Sequence, residues 1–153
     1  MKTLSDAAAL AGILDRLDRL PPNAPAHWGR MSAHQMLCHL TDSFLACFGE
    51  KYASPATGLF ERTVMKWAAL YMPLPWPKDI ATRPEIDQVA GGGTPPADFD
   101  EDRQALVGAT ARFCDPTRDA TRDFHPIFGR MSRDEWMRWA WLHMDHHLRQ
   151  FGV

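Results

Sequence analysis

The chain has no long apolar run. Its best uncharged stretch, residues 67–77, is too short to span a membrane and is broken by Pro73, Pro75 and Pro77. Cysteine is scarce. Cys38, Cys47 and Cys114 are odd in number and irregularly spaced, so they make no disulfide framework and suit a reducing cytoplasm. No basic-then-apolar segment opens the sequence, so no secretion signal is expected. Charge of one sign is not in excess: 17 Lys and Arg stand against 19 Asp and Glu, a net charge of -2. That balance speaks against a partner made of phosphate backbone and against an acidic membrane surface. Strands with clean alternation are missing as well.

What the chain does have is ordinary globular material. Its 153 residues, 45% apolar and 24% charged, suffice for one compact domain that buries a core without disulfide support. Two excesses remain to be explained, seven histidines and six tryptophans.

The periodicity predicts helices. Residues 5–20 repeat Leu10, Ile13, Leu14, Leu17 and Leu20 at three- and four-residue steps, with Ser5 as cap and Pro21 and Pro22 as stop. A second helix opens at Ser32, where Gln35 completes a capping box, and runs to about Phe48 before Gly49. A third stretch, residues 57–71, puts Phe60, Val64, Trp67, Ala68 and Tyr71 on one face. Residues 72–98 then form a long loop with six prolines and the run Gly91-Gly92-Gly93, which reads as a flexible turn and the loop as a lid. A fourth helix starts near Asp98 or Asp100 and runs to Phe113. A last one runs from Ser132, with Glu135 completing a second capping box, to Gln150. The expected class is all-α, four or five helices in a bundle. Gly29-Arg30-Met31-Ser32 and Gly129-Arg130-Met131-Ser132 introduce two of these helices with the same four residues. Either two helix starts share local chemistry, or two equivalent helices meet about a pseudo-twofold.

Chemistry concentrates in the histidines. His143 and His147 are four residues apart, one turn along one helix face, on a stripe with Trp136 and Ala140. Two imidazoles at that spacing reach a single metal ion. His39, mid-way along the second helix, is the best third ligand. Its stripe (Gln35, Asp42, Ala46) is polar or small and leaves room for an ion and a substrate. Three imidazoles from two helices leave a coordination position open, as catalytic sites do. The alternative is that such histidines only hydrogen-bond to carbonyls. Cys38 is about 100° away from His39 around the axis and is not expected to be a ligand. His34 and His27 read as surface or structural residues. His146 reads as hydrogen-bonded or exposed. His125 either faces the pocket or caps the backbone. Arg130, Arg133, Arg138 and Arg149 look like a solvated face.

Two blocks carry a family likeness. Residues 28–40, from Trp28-Gly29-Arg30-Met31-Ser32 to His39-Leu40, and residues 143–150, His143-Met144-Asp145-His146-His147-Leu148-Arg149-Gln150, resemble the DinB-like superfamily of four-helix-bundle metalloenzymes. With His125-Pro126-Ile127-Phe128-Gly129 added, the chain looks like a bacterial branch of it catalogued as a domain of unknown function. The resemblance implies an up-down four-helix bundle over residues 1–153, here with an additional short helix and a long proline-rich loop. It also implies one divalent metal on His39, His143 and His147, and a homodimer. Relatives with known chemistry include thiol-S-transferases and a thiol-dependent isomerase. The extra His146 and the long loop depart from the pattern and leave the substrate open.

The leading expectation is therefore a cytoplasmic metal-dependent enzyme. It would use a low-molecular-weight thiol against a small electrophilic substrate, or hydrolyse one, with Asp42 as a base or a supporting acceptor. Imidazole ligation suits Zn, Ni, Cu or Fe, with Zn or Ni preferred. The competing expectation is a non-catalytic metal-binding or stress-associated protein. Nucleic acid and membrane are not expected partners.

Overall fold

The computed structural model describes residues 1–56, 58–78, 80–117 and 124–153. Helices account for its regular structure. Among the described residues no strand occurs, only an isolated antiparallel bridge between His125 and Gly129.

Helix α1 spans Ala7–Asp18. Its cap is Asp6, not the expected Ser5. The Asp6 carboxylate accepts from the amides of Ala8 and Ala9, which a serine one residue earlier would not reach. Ala9, Ile13 and Leu17, at four-residue steps, form its buried edge. Helix α2 spans Ala33–Cys47, and its Ser32–Gln35 capping box is closed in both directions. Helix α3, Lys66–Tyr71, continues directly from a π-turn at Glu61–Met65. Helix α4, Phe99–Cys114, is capped by Asp98. Helix α5, Arg133–Gln150, has the second closed capping box, Ser132–Glu135.

The repeated Gly-Arg-Met-Ser motif is one local device used twice. Gly29 and Gly129 have φ of 74° and 69°, a region that costs glycine nothing, and both serines are extended. The two helices so introduced pack against each other and are the two that carry the histidines.

Helix α2 lies along α4, and α1 along α5. Between them sits an aromatic core. Phe44 and Phe113 rings are 4.8 Å apart, and Trp136 and Trp139 meet edge to face at 5.5 Å. Full burial of a side chain such as Phe113 or Leu106 contributes roughly 1.5–3 kcal/mol. Two of the arginines expected on a solvated face, Arg133 and Arg138, instead tie elements together. Arg138 donates to the carbonyls of Leu70 and Lys2, and Arg133 to that of Cys114. Arg16 of α1 pairs with Asp145 of α5 at 2.7 Å.

Two regions differ from expectation. The apolar face read for the third stretch does not turn inward. Phe60, Val64 and Trp67 are 60%, 56% and 59% exposed; of that face Ala68 alone lines a cavity, beside Met65 and Ala69. Thr57, the expected start of that stretch, lies outside the described residues. The triple glycine is also not a loose turn. Gly92 and Gly93 donate to the Asp87 carbonyl, and a Cβ on Gly92 would stand 1.8 Å from the Pro84 carbonyl oxygen. Glycine lets residues 91–93 close against the 3-10 turn Pro84–Ile86, which positions the site described next.

Candidate metal centre

Helix α2 delivers His39, and α5 delivers His143 and His147. The i, i+4 spacing brings the latter pair to a ring separation of 4.9 Å. His39 stands 5.3 Å from His143 and 4.9 Å from His147, so the three rings form a nearly equilateral triangle. One nitrogen from each lies within 4.8 Å of the others, a group that could hold a metal ion.

Second contacts set which nitrogens face inward. His39 Nδ1 is 2.9 Å from the Ile86 carbonyl, so that nitrogen donates and Nε2 keeps its lone pair. His147 Nδ1 is 3.0 Å from Gln150 Oε1. The Gln150 amide is oriented in turn, because its Nε2 donates to the Trp28 carbonyl at 2.7 Å. His147 therefore also presents Nε2. Acceptors behind ligand rings are what metal-binding histidines ordinarily have.

The spacing fits an ion. His39 Nε2 and His143 Nε2 are 3.3 Å apart, long for a hydrogen bond. Two nitrogens bound tetrahedrally at ~2.0–2.1 Å would be separated by about 3.3–3.4 Å. The electrostatics agree. Burial lowers the pKa of His39, against the opposing pull of the Ile86 carbonyl and the Asp42 charge. Burial and the neighbouring imidazoles hold His143 and His147 well below the usual range. All three rings are thus neutral at pH 7, with lone pairs available, and a shared cation is what their clustering suits.

The three histidines line a cavity of about 870 Å³, whose wall is mainly apolar. Trp139 lies tilted 5.1 Å from His143, and Trp76 lies 6.0 Å from both His143 and His146. Arg30 and Arg83 bring positive charge to the same cavity. His146 sits on the wall beside Trp28 and His147, outside the three-ring group. His125 is also on the wall. Its Nδ1 accepts from the amides of Ile127 and Phe128, both at 3.1 Å, so its proton resides on Nε2. Burial pushes its pKa down to about 3.

Asp42 is elsewhere. It is fully buried and does not line the cavity. Its carboxylate accepts four hydrogen bonds: from Lys51 Nζ at 2.8 Å, Gln88 Nε2 at 2.7 Å, the Thr94 amide at 2.8 Å and Thr94 Oγ1 at 2.7 Å. A base with both oxygens so engaged has no reach to a substrate. The other expected role, a supporting acceptor, fits these contacts. Asp42 fastens residues 88–94, the segment that follows the Ile86 carbonyl.

His34, expected at the surface, instead meets Asp102 of α4 at 2.7 Å. The Cys38 thiol donates to the same carboxylate oxygen. Burial, and then the Asp102 charge, push that thiol up to about 12. His27 is exposed.

Sequence reasoning missed Trp76, the Ile86 carbonyl and the anchoring role of Gln150. Pro75-Trp76-Pro77, a tryptophan held between two prolines in a loop, was the available signal for the first. Nothing local marks a backbone carbonyl that acts 47 positions away.

A family profile matches residues 4–152. The chain belongs to the family described as "Protein of unknown function (DUF1569)". No curated protein and no solved structure matches it. Among the described residues no helix is long and apolar enough to cross a membrane.

Proposed function

We propose that this family member is a metal-dependent enzyme in which His39, His143 and His147 hold one divalent ion, Zn or Ni. We read it as a single DinB-like domain, an up-down four-helix bundle in which α1, α2, α4 and α5 are the long members. The reaction we assign is transfer of a small thiol to an electrophilic carbon of a second substrate. One observation carries the reading: three neutral imidazoles, two already oriented by acceptors behind them, converge on the wall of a cavity large enough for a small molecule.

A divalent ion held by His39, His143 and His147 would supply Lewis acidity that acidifies a thiol or a water. The chain's own residues do the rest. The Ile86 carbonyl and Gln150 Oε1 hold the Nδ1 protons of His39 and His147, so Nε2 is the atom each ring would offer an ion. Trp76 and Trp139 offer flat apolar walls beside His143, which exclude water from the nucleophile and seat an apolar electrophile. Arg30 and Arg83 give an anionic group on either substrate a place to bind. The Nε2–H of His125 provides a neutral donor for an oxygen of the electrophile.

His143 is only partly buried, on its cavity side, which favours an ion open to substrate over a closed structural one. The exposed face of the third stretch supports a homodimer. At these exposures Leu59, Phe60, Val64, Trp67 and Tyr71 together present on the order of 500 Å², as much as the largest apolar patch of an ordinary monomer. The odd number and irregular spacing of the three cysteines agree with residence in the cytoplasm.

The test is a panel of electrophiles, each offered with several low-molecular-weight thiols and with water alone, to protein reconstituted with Zn or Ni. Thiol-dependent turnover that disappears in His143→Ala supports the assignment. Turnover in water alone selects a hydrolase. Turnover unchanged by His143→Ala rejects the mechanism, and tight metal binding without any turnover selects a non-catalytic metal-binding protein.

A further inference from the structure

Another face of α2 carries a second set of donors. His34 and Cys38 are four residues apart and share one edge of the helix. Asp102, on the first turns of α4, faces them from the helix that packs along α2. One potential ligand atom from each residue lies within 4.8 Å of the other two.

We propose that His34, Cys38 and Asp102 form a second cation site, of mixed thiolate, imidazole and carboxylate character, that takes Zn2+. The present contacts are those of its proton-filled form. The imidazole and the thiol both converge on Asp102 Oδ2, at 2.7 and 3.6 Å. One cation between the three replaces two hydrogen bonds to a single oxygen with three bonds to a metal. As the metal bonds form, the thiol proton leaves to solvent and the imidazole hydrogen passes through solvent from Nε2 to Nδ1. His34 binds neutral through Nε2, Asp102 binds as the carboxylate, and no oxidation state changes.

Donor chemistry and access choose the ion. A sulfur ligand beside imidazole and carboxylate suits Zn2+ and disfavours Mg2+ and Ca2+, which take oxygen. The His34 and Asp102 side chains are 22% and 21% exposed, enough for an ion to enter and for a water to complete a tetrahedron. The frame is rigid on both sides. Phe99 meets the His34 ring edge-on at 5.3 Å, and the Ala97 amide donates to Asp102 Oδ2 at 2.9 Å. The site is also separate from the three-histidine centre. Neither His34, Cys38 nor Asp102 lines that cavity, and Cys38 is turned about 100° from His39 around the helix.

Cobalt distinguishes the two sites because only one of them contains sulfur. Metal-free protein titrated anaerobically with Co2+ is expected to bind two equivalents. One of them develops the near-ultraviolet thiolate-to-cobalt charge-transfer absorption. Cys38→Ser should lose that absorption and one equivalent. His34→Asn, at a partly exposed position, should weaken the absorbing equivalent at least tenfold. His143→Ala should keep the absorption and lose the other equivalent. A wild-type titration carried to saturation without the absorption overturns the proposal. So does absorption that survives in Cys38→Ser, or an unchanged affinity in His34→Asn should the serine variant fail to fold. Failure of the three-histidine reading would appear differently, as loss of the equivalent that has no sulfur signature.

Discussion

Replacing Gln150 with leucine isolates the support behind one ligand without touching a ligand. Leucine approximates the buried volume, so packing changes little, but both hydrogen bonds of the amide are lost. His147 Nδ1–H and the Trp28 carbonyl are left unpaired in the interior. Each unpaired group costs roughly 1–3 kcal/mol, so the metal-free protein should lose about 2–6 kcal/mol. Metal affinity should fall separately. Loss of an acceptor behind a ligand histidine typically costs about 10–100-fold, or about 1.4–2.8 kcal/mol. Zn2+ competition against a chromophoric chelator reads the affinity, and urea denaturation of metal-free protein reads the stability. Gln150→Glu separates the two effects. It keeps an acceptor for His147 and should hold affinity at or above the wild type, yet it loses the donor to Trp28 and should still be less stable. An affinity in Gln150→Leu within twofold of wild type would refute the reasoning, because Gln150 would then not orient a ligand.

Metal-free protein should lose stability as pH falls from 7 to 5. His125 is held near 3 in the fold and titrates near 6.5 when unfolded, and burial lowers His39, His143 and His147 too. The unfolded chain therefore takes up more protons in that window, so the stabilisation is full above about 6.5 and is lost as pH drops, at up to ~1.4 kcal/mol per pH unit for each ring. Thermal melts across that range check it, and a flat profile would contradict the neutral buried rings. Asp42→Asn should destabilise by roughly 1–3 kcal/mol, since an amide presents a donor where the carboxylate receives four. Its effect should be on folding and metal affinity; a collapse of turnover with both of these intact would restore Asp42 as a base. Trp67→Glu should convert a dimer into a monomer by light scattering without lowering metal content, and an unchanged mass would place any interface elsewhere.

Local chemistry was the readable part of this sequence. Both capping boxes close within four residues, so Ser32 and Ser132 mark their helix starts without reference to anything distant. The i, i+4 rule is equally local, and it put His143 and His147 on one edge of α5. What the sequence hid was set by contacts between distant segments. Periodicity gave the third stretch an apolar face, but a face has no direction until its neighbours are placed, and this one points outward. The Gly91–Gly93 run looked like a flexible turn because its constraint, the Pro84 carbonyl, is a backbone atom. Asp42 lies one turn from His39 and so looked catalytic, whereas its partners Gln88 and Thr94 come from a segment with no periodic pattern. Arg133 and Arg138 resembled a solvated face because each finds its carbonyl on another element.

The most direct test is a crystal structure of protein soaked with Zn2+ and measured at the zinc absorption edge. The account predicts an anomalous peak bonded to the Nε2 atoms of His39, His143 and His147 at ~2.0–2.1 Å, with a further position turned to the cavity. A fully loaded crystal in which no peak lies within bonding distance of all three rings would contradict it.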